Sequence, residues 1–429
     1  PITITADALN KTYATPAVAD PTFTYVVSPS IAGMAALSGV LSRTSGETAD
    51  QYDVLQNTLT DANNANYQIT FVSAKFTIGR AAQSAITVTT TSTTYKVSLT
   101  LATAGGDGEG AISYSLSENG AGCSISGGVL SVTGNVGTTC KVTATKAQST
   151  NFNAASSAAT TISITPRAVT IVADSLSKIY GATDPTLTYS VTSGSLATGE
   201  TLSGALSRAT GESVGTYLIS QGTVTSANNS NYAVTFSGTN NFTIDKRSIG
   251  LRADNKTKEW DDPANPDPAL TFSIASGSLI TGDTLAGSFS GSLTRNSGED
   301  WGTYAITQGT LTSSNYEIAW TNGTFTITQK AQNALVLSAA STSVNYNATT
   351  TLSTSGGQGT GAVTYTPASG TGACTVSGST LTATRAGLCT VRATKAASLG
   401  YSAAESNVVT ITINKIAQTI TFAVISDRP

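Results

Sequence analysis

The chain has 429 residues, several times the usual domain length of about 100–150 residues, so it can hold several separate modules. Only 11% of the residues are charged and the net charge is −3, which does not favour nucleic-acid binding. It contains no histidine, the commonest general base and transition-metal ligand, so neither an enzyme nor a metal or other cofactor is expected. Apolar runs are far shorter than the roughly 20 residues of a membrane helix, so no membrane insertion is predicted.

A first repeat type, module A, begins at the start of the chain. It contains a Lys two residues before an aromatic residue, then Asp-Pro, an Arg-x-x-Gly-Glu run, an Asn-Tyr pair and a closing Phe-Thr-Ile. The charged residues of this signature recur in three copies, in the order Lys11, Asp20, Arg43, Glu47; Lys178, Asp184, Arg208, Glu212; and Lys258, Asp267, Arg295, Glu299.

A second repeat type, module B, follows the first copy of module A and returns later. Each copy begins with Ala-Gln and has a Tyr, a Gly-Gly turn, a second Tyr and two cysteines. The cysteine spacing predicts one disulfide in each copy, Cys123–Cys140 and Cys374–Cys389, and hence an oxidising compartment. The alternative is four buried free thiols.

The repeats predict modules A1 (1–79), B1 (80–165), A2 (166–245), A3 (246–328) and B2 (329–414), with the start of a further module at 415–429. Segments of four to six residues that alternate or run apolar, separated by Gly, Asn and Ser clusters, favour short strands. We therefore expect an all-β chain of tandem Ig-like antiparallel β-sandwiches. Each joint is short and carries a basic residue, so the modules are expected to form an extended, semi-rigid rod.

Module A resembles the bacterial MBG domain of YGX type. The resemblance is carried by Lys178-Ile-Tyr-Gly-Ala-Thr-Asp-Pro-Thr-Leu-Thr-Tyr189 and by the Arg-x-x-Gly-Glu run, and it is best in A2. Module B resembles the bacterial Ig-like repeats that accompany such domains. The resemblance implies large secreted or surface-attached bacterial proteins, often adhesin-like, and no catalytic residues.

Several roles are open for the recurring charged residues. Bracing of turns in the scaffold is favoured because all three copies keep them. A glycan-binding face could instead be formed by Arg208 and Glu212, with Tyr217 and Tyr232 stacking on sugar rings. A Lys–Asn crosslink would join Lys178 to Asn231 with Glu212 as the catalyst, and a calcium ion could bind Asp261, Asp262 and Asp267.

Three functions agree with the sequence. The first is a semi-rigid stalk in an extracellular or surface-attached bacterial repeat protein. The second is a subunit of an extracellular filament or sheath, and the third is a glycan-binding array. The expected partners are neighbouring modules of the same chain or of identical chains; cell-surface glycans or proteins are the alternatives.

Overall fold

The structure is a computed structural model that describes residues 1–120, 122–260 and 266–423. It forms two compact units. The first contains A1, B1 and the larger part of A2, and comprises Pro1–Leu176, Thr186–Ala209 and Tyr217–Phe242. The second contains the rest of A2, A3 and B2, and comprises Ser177–Pro185, Thr210–Thr216 and Thr243–Pro429. The finer module boundaries stay predictions.

The A-type modules consist of short strands, as their β-branched composition predicts. The strands of A1 are β1 (Ile2–Ala6), β2 (Asn10–Thr12), β3 (Tyr25–Ser28), β4 (Ser42–Arg43), β5 (Gln51–Leu55), β6 (Ile69–Val72) and β7 (Lys75–Gly79).

The B-type module of the first unit has shorter and more numerous strands. They are β8 (Thr87–Val88), β9 (Ser92–Thr94), β10 (Leu99–Thr100), β11 (Thr103–Ala104), β12 (Ile112–Asn119), β13 (Cys123–Ser126), β14 (Val129–Val132), β15 (Thr139–Lys146), β16 (Ala155–Ser156) and β17 (Thr160–Thr165).

A2 and A3 repeat the strand series of A1. In A2 the strands are β18 (Arg167–Ala173), β19 (Leu176–Ile179), β20 (Tyr189–Gly194), β21 (Ser207–Arg208), β22 (Gly215–Ser220), β23 (Tyr232–Phe236) and β24 (Asn241–Asp245). In A3 they are β25 (Arg247–Ala253), β26 (Lys256–Glu259), β27 (Phe272–Ser276), β28 (Thr294–Arg295), β29 (Gly302–Thr307), β30 (Tyr316–Thr321) and β31 (Gly323–Thr328).

The second B-type module contains the remaining strands. They are β32 (Leu335–Ala339), β33 (Ser343–Asn345), β34 (Thr349–Gly356), β35 (Val363–Ser369), β36 (Ala373–Ser377), β37 (Thr380–Arg385), β38 (Gly387–Lys395), β39 (Ala404–Glu405) and β40 (Val409–Asn414). Helical structure in the described residues is limited to a 3-10 helix (Asp61–Asn63) and α1 (Leu285–Ser288). No described helix has the length and apolarity needed to span a membrane.

Each A-type module is built from two sheets. In A1 their strand orders are β3-β1-β6 and β2-β7-β5-β4, and A3 repeats them as β27-β25-β30 and β26-β31-β29-β28. The pairing is antiparallel except that β1 runs parallel to β6 and β2 runs parallel to β7. The prediction of antiparallel sandwiches therefore holds for the other strand pairs of A1 but is wrong for these two. Parallel neighbours need a long connection, and the residues between β1 and β6 provide one.

A core between the two sheets stabilises A1. Ile2 and Ile4 of β1 are buried while Thr5 between Ile4 and Ala6 is exposed, which is the alternation of a half-buried strand. They cluster with Val54 of β5 and Phe76 of β7, both from the other sheet. Burying each such side chain contributes about 1.5–3 kcal/mol. The prediction of all-β tandem sandwich modules is confirmed.

Candidate functional site

The joints between modules carry a repeated set of contacts. At the A1–B1 joint, in the first unit, the rings of Tyr13 and Phe152 meet edge to face with centroids 5.4 Å apart. The side chain of Asn151 accepts a hydrogen bond of 2.9 Å from the backbone N–H of Ala49. Arg80 donates to the backbone carbonyl of Ser149 at 3.0 Å. The ring pair and the Asn–backbone hydrogen bond thus connect the two modules, while the Arg80 bond fixes the Ser149 loop within B1 beside the joint.

The B1–A2 joint, also in the first unit, repeats this arrangement. Tyr95 and Tyr232 form an edge-to-face pair at 5.7 Å. Asn231 Oδ1 accepts from the backbone N–H of Val136 at 3.0 Å, and its Nδ2 donates to Asn135 Oδ1 at 3.0 Å.

The second unit contains two further joints. At the A2–A3 joint, Tyr180 and Tyr316 pair edge to face at 5.5 Å, and Asn315 Oδ1 accepts from the N–H of Val214 at 3.1 Å. At the A3–B2 joint the rings are Trp260 and Tyr401, 5.1 Å apart and again edge to face.

Two joints add a carboxylate between the rings. Glu200 accepts hydrogen bonds from Lys96 Nζ at 2.5 Å, from Tyr95 at 2.8 Å and from Tyr232. The Lys96 bond is the main cause that lowers the pKa of Glu200 to about 2, and the Tyr232 bond adds to it.

Asp283 takes the place of this glutamate at the A2–A3 joint. It accepts from Tyr316 at 2.6 Å and from Tyr180 at 3.1 Å. Burial, together with the Asp283 bond, raises the pKa of Tyr316 to about 12.

The first aromatic residue of each joint is fixed to the strand that leaves its module. Its backbone N–H donates to a carbonyl at the end of that strand in five places: Tyr13 to Gly79, Tyr95 to Thr165, Tyr180 to Asp245, Trp260 to Thr328 and Tyr346 to Asn414, at 2.8–3.0 Å. The side chains of Tyr95 and Tyr180 are buried, whereas Tyr346 at the end of B2 is 42% exposed.

The four charged residues of the A1 signature form a closed ion network. Lys11 Nζ lies 2.7 Å from Asp20 and 2.6 Å from Glu47. Arg43 lies 2.7 Å from Asp20 and 2.5 Å from Glu47. The guanidinium of Arg43 also covers the rings of Tyr52 and Phe76, at 4.9 and 5.2 Å from their centroids.

A3 contains the same network. Lys258 Nζ lies 2.7 Å from Asp267 and 2.6 Å from Glu299, and Arg295 lies 2.5 Å from Asp267 and contacts Glu299. Burial opposes the charge on Lys258, but the hydrogen bonds to Asp267 and Glu299 prevail and raise its pKa. The hydrogen bond from Arg295 is the main cause that lowers the pKa of Asp267. All four groups are therefore charged at neutral pH.

In A2, Lys178 contacts both Asp184, at 2.6 Å, and Glu212. Arg208 lies over the rings of Tyr217 and Phe242, at 5.2 and 5.0 Å.

The comparisons with known proteins agree with these repeats. A family model described as MBG domain (YGX type) matches residues 2–77, 169–243 and 249–326, together more than half of the chain. The chain belongs to the MBG domain family of YGX type. No curated protein matches it.

Several solved structures match the MBG chain at low identity. Murine CEACAM1b is 19% identical, with 27% of this chain and 59% of that chain covered and a TM-score of 0.18. Drosophila N-cadherin EC1-4 is 11% identical, with 86% and 83% covered and a TM-score of 0.18. Surface layer protein SbsC, domains 1-6, is 12% identical, with 97% and 55% covered and a TM-score of 0.14. The MBG chain thus covers less than two thirds of CEACAM1b and of SbsC, and at these TM-scores we draw nothing from the likenesses.

Disulfides join the cysteines of each B-type module, Cys123 to Cys140 and Cys374 to Cys389. Cys123 lies on β13 and Cys140 on β15, strands of two different sheets. Cys374 on β36 and Cys389 on β38 are related in the same way. Each bond therefore ties two sheets of one module together.

The geometry gives little support to the glycan-binding role of the MBG signature. Arg208 already covers Tyr217, and Tyr232 is buried with its hydroxyl on Glu200. A sugar ring would need an open aromatic face at one of these residues.

The crosslink and calcium hypotheses also lack a site among the described residues. Lys178 contacts two carboxylates, while the amide of Asn231 is used at the B1–A2 joint. Asp261 and Asp262 lie outside the described residues, and Asp267 is paired with cations. Within the part of the chain that the structure describes, no three Cys, Asp or Glu residues gather as a metal site.

Sequence reasoning noticed the Asn-Tyr pairs but did not assign them to the joints. It did not single out Glu200 or Asp283. The signal that could have located the two carboxylates is the run Ser-Gly-Ser-Leu-x-x-Gly-(Glu/Asp)-x-Leu, which recurs in A2 and A3, because a repeat that contacts its neighbour must keep both halves of the contact.

Proposed function

We propose that the chain is a structural and adhesive segment of a large secreted or surface-attached bacterial repeat protein, in which it acts as a semi-rigid extracellular stalk. The observation that carries the proposal is the repeated ring pair at the joints, fixed by a backbone hydrogen bond on one side. Modules connected in this way are restrained in their relative orientation.

The strength of the joints supports a restrained rather than a rigid connection. An edge-to-face ring pair contributes about 0.5–1.5 kcal/mol beyond burial. A typical hydrogen bond contributes a similar net amount, about 0.5–1.5 kcal/mol. A joint with one of each is therefore stabilised by roughly 1–3 kcal/mol. Such a joint is mostly closed at room temperature and still opens under strain.

Two further observations favour a structural role outside the cell. The disulfides of B1 and B2 suit an oxidising compartment. In the MBG networks the charges neutralise each other and arginine covers the aromatic rings, which agrees with a scaffold rather than with catalysis or ligand binding.

A filament subunit is the second candidate, because the first sheets of the MBG modules have edge strands with exposed apolar residues. Val26 of β3 is 60% exposed, and Val191 of β20 and Ile274 of β27 are 38% and 37% exposed. An exposed strand edge can pair with another chain. Lateral contacts between identical chains would use these edges.

Small-angle scattering and electron microscopy of the full chain test the stalk. A radius of gyration near about 22 Å, the value for a compact globule of this length, would refute both candidates. A persistent monomer that is extended supports the stalk, and growth into ordered fibres with concentration supports the filament.

A matched pair of variants tests whether the joint rings provide the restraint. Tyr95→Ala with Tyr180→Ala removes one ring from each of two joints and should give more sharply bent particles. Tyr346→Ala removes the corresponding exposed ring of B2 and should leave the particles as they are. Equal bending in both variants would show that the joint rings do not provide the restraint.

A further inference from the structure

The residue after the joint tyrosine of A2 leaves no space for a side chain. Gly181 follows Tyr180 with φ +80°. A Cβ built on Gly181 would lie 2.3 Å from Cγ2 of Ile280 in A3. Real Cβ atoms essentially never come this close, so a residue other than glycine at 181 would require Ile280 to move in the closed joint.

The B1–A2 joint has the opposite combination at the same two positions. Lys96 follows Tyr95 with φ +50°, so a residue with a long side chain occupies the place of Gly181. Ala197 occupies the place of Ile280, because each donates its backbone N–H to the hydroxyl of the joint tyrosine, Tyr232 at 2.9 Å or Tyr316 at 3.0 Å. The larger residue at one position goes with the smaller residue at the other.

The carboxylates of the two joints, Glu200 and Asp283, differ in size in a corresponding way. Glu200 reaches Lys96 in addition to the two tyrosines, whereas the shorter Asp283 contacts the tyrosines at a joint where glycine replaces the lysine. Charge and size therefore change together between the two joints.

The remaining pair of joints shows an independent case. At the A3–B2 joint a Cβ on Gly400 would lie 1.6 Å from Cδ2 of Trp260. At the A1–B1 joint the same place holds Asn151, opposite the smaller Tyr13. The equivalence rests on the backbone, where Ala81 N–H donates to Asn151 O at 2.9 Å and Lys330 N–H donates to Gly400 O at 2.7 Å.

We propose that each joint surface is matched to its own neighbour, so that the residue pairs Lys96–Ala197, Gly181–Ile280, Tyr13–Asn151 and Trp260–Gly400 determine which module can dock after which. The end of B1 fits a module with a small residue at the position of Ala197 and a glutamate at that of Glu200. The end of A2 fits a module with isoleucine and aspartate at these two positions. The end of A3 fits a module with glycine opposite its tryptophan. This inference rests on the proposed function, since it assumes closed joints.

Amide hydrogen exchange in the full chain measures the state of single joints. The N–H of Val214 is bonded to Asn315 across the A2–A3 joint, and the N–H of Val136 is bonded to Asn231 across the B1–A2 joint. Exchange at Val214 thus reports the varied joint and exchange at Val136 serves as the internal control.

The first test compares Gly181→Lys with Gly181→Lys/Ile280→Ala. Because overpacking opens the joint, the single variant should exchange Val214 at least roughly tenfold faster than the wild type. The double variant has the residues of the other joint and should return to within about threefold of the wild type. Ile280→Ala alone should also keep slow exchange, since it removes atoms without adding a clash.

The second test uses Gly400→Asn, with Trp260→Tyr/Gly400→Asn as its rescue, and follows the NMR signals of the Tyr401 ring, which contacts Trp260 across the A3–B2 joint. It keeps the proposal testable if the A2 variants fail to fold. No change of the reporter in Gly181→Lys and in Gly400→Asn, or no recovery in the two double variants, overturns the inference. Fast exchange at Val136 and Val214 in the wild type would instead refute the closed joints of the proposed function.

Discussion

Replacing Asp267 with Asn should destabilise A3 strongly, because it removes the better-buried carboxylate of the ion network. Its cation partners Lys258 and Arg295 have side chains only 8% and 10% exposed. Removing one partner of a buried pair costs about 3–5 kcal/mol when the charge is left alone. Glu299 still contacts both cations, so we expect a loss of about 2–3 kcal/mol, which lowers Tm by roughly 10–20 °C for a module of this size.

Glu299→Gln is the matched control. Glu299 contacts the same two cations, but its side chain is 67% exposed against 34% for Asp267. An exposed ion pair contributes about 0–1 kcal/mol, so the control should lose far less stability. The contrast between two carboxylates with the same partners isolates the effect of burial.

Tryptophan fluorescence provides the assay in the full chain. The chain has three tryptophans, Trp260, Trp301 and Trp320, and all lie in A3. Denaturant titration followed by their emission therefore reports the unfolding of A3, together with the opening of its joint with B2 through Trp260. Equal losses in the two variants, or a loss below about 1 kcal/mol for Asp267→Asn, would refute the assignment of the network as a buried brace.

Three further results are expected. The pKa of Glu200 is about 2 against an ordinary 4.5, so the contribution of Glu200 to the B1–A2 joint is complete above pH 4.5 and is lost as the pH falls toward 2. NMR titration of the carboxyl group measures this pKa, and Lys96→Ala should move it toward 4.5. The pKa of Tyr316 is raised from 10.0 to about 12, so the contribution of Tyr316 to the A2–A3 joint is present below pH 10 and is lost as the pH rises through about 12. The absorbance of tyrosinate measures this ionisation, and Tyr316→Phe should abolish the absorbance change near pH 12. Replacing Cys123 and Cys140 by Ser should cost B1 about 3 kcal/mol in denaturant unfolding, and an undiminished midpoint would contradict the chain-entropy estimate.

The sequence predicted the repeats, the all-β sandwich class and the cysteine pairing because each depends on local pattern. Alternating Ile and Thr in β1 specify a half-buried strand. The recurrence of Lys11, Asp20, Arg43 and Glu47 in fixed order marked them as a set before any contact was known.

The joints and the parallel pairings could not be predicted in the same way. The contact between Tyr180 and Tyr316 joins residues far apart in the chain, and a local motif does not specify its partner. Likewise, alternation in β1 shows which face is buried but not that β6 lies beside it in parallel. Both depend on the topology of the whole module.

In an MBG module the first strand and the last strand each lie beside a parallel neighbour, β1 beside β6 and β7 beside β2 in A1. This arrangement bears on how the module responds to a pulling force. The chain enters A1 through β1, which lies between β3 and β6, and leaves through β7, which lies between β2 and β5. Because the strands that carry the load lie inside their sheets, we expect tension along the chain to slide them past their neighbours rather than to peel them away. The backbone hydrogen bonds are then strained together rather than one after another, and rupture requires many of them to break at once. The unfolding rate then sets how long a module stays folded under load, and this resistance to force follows from the order of the strands.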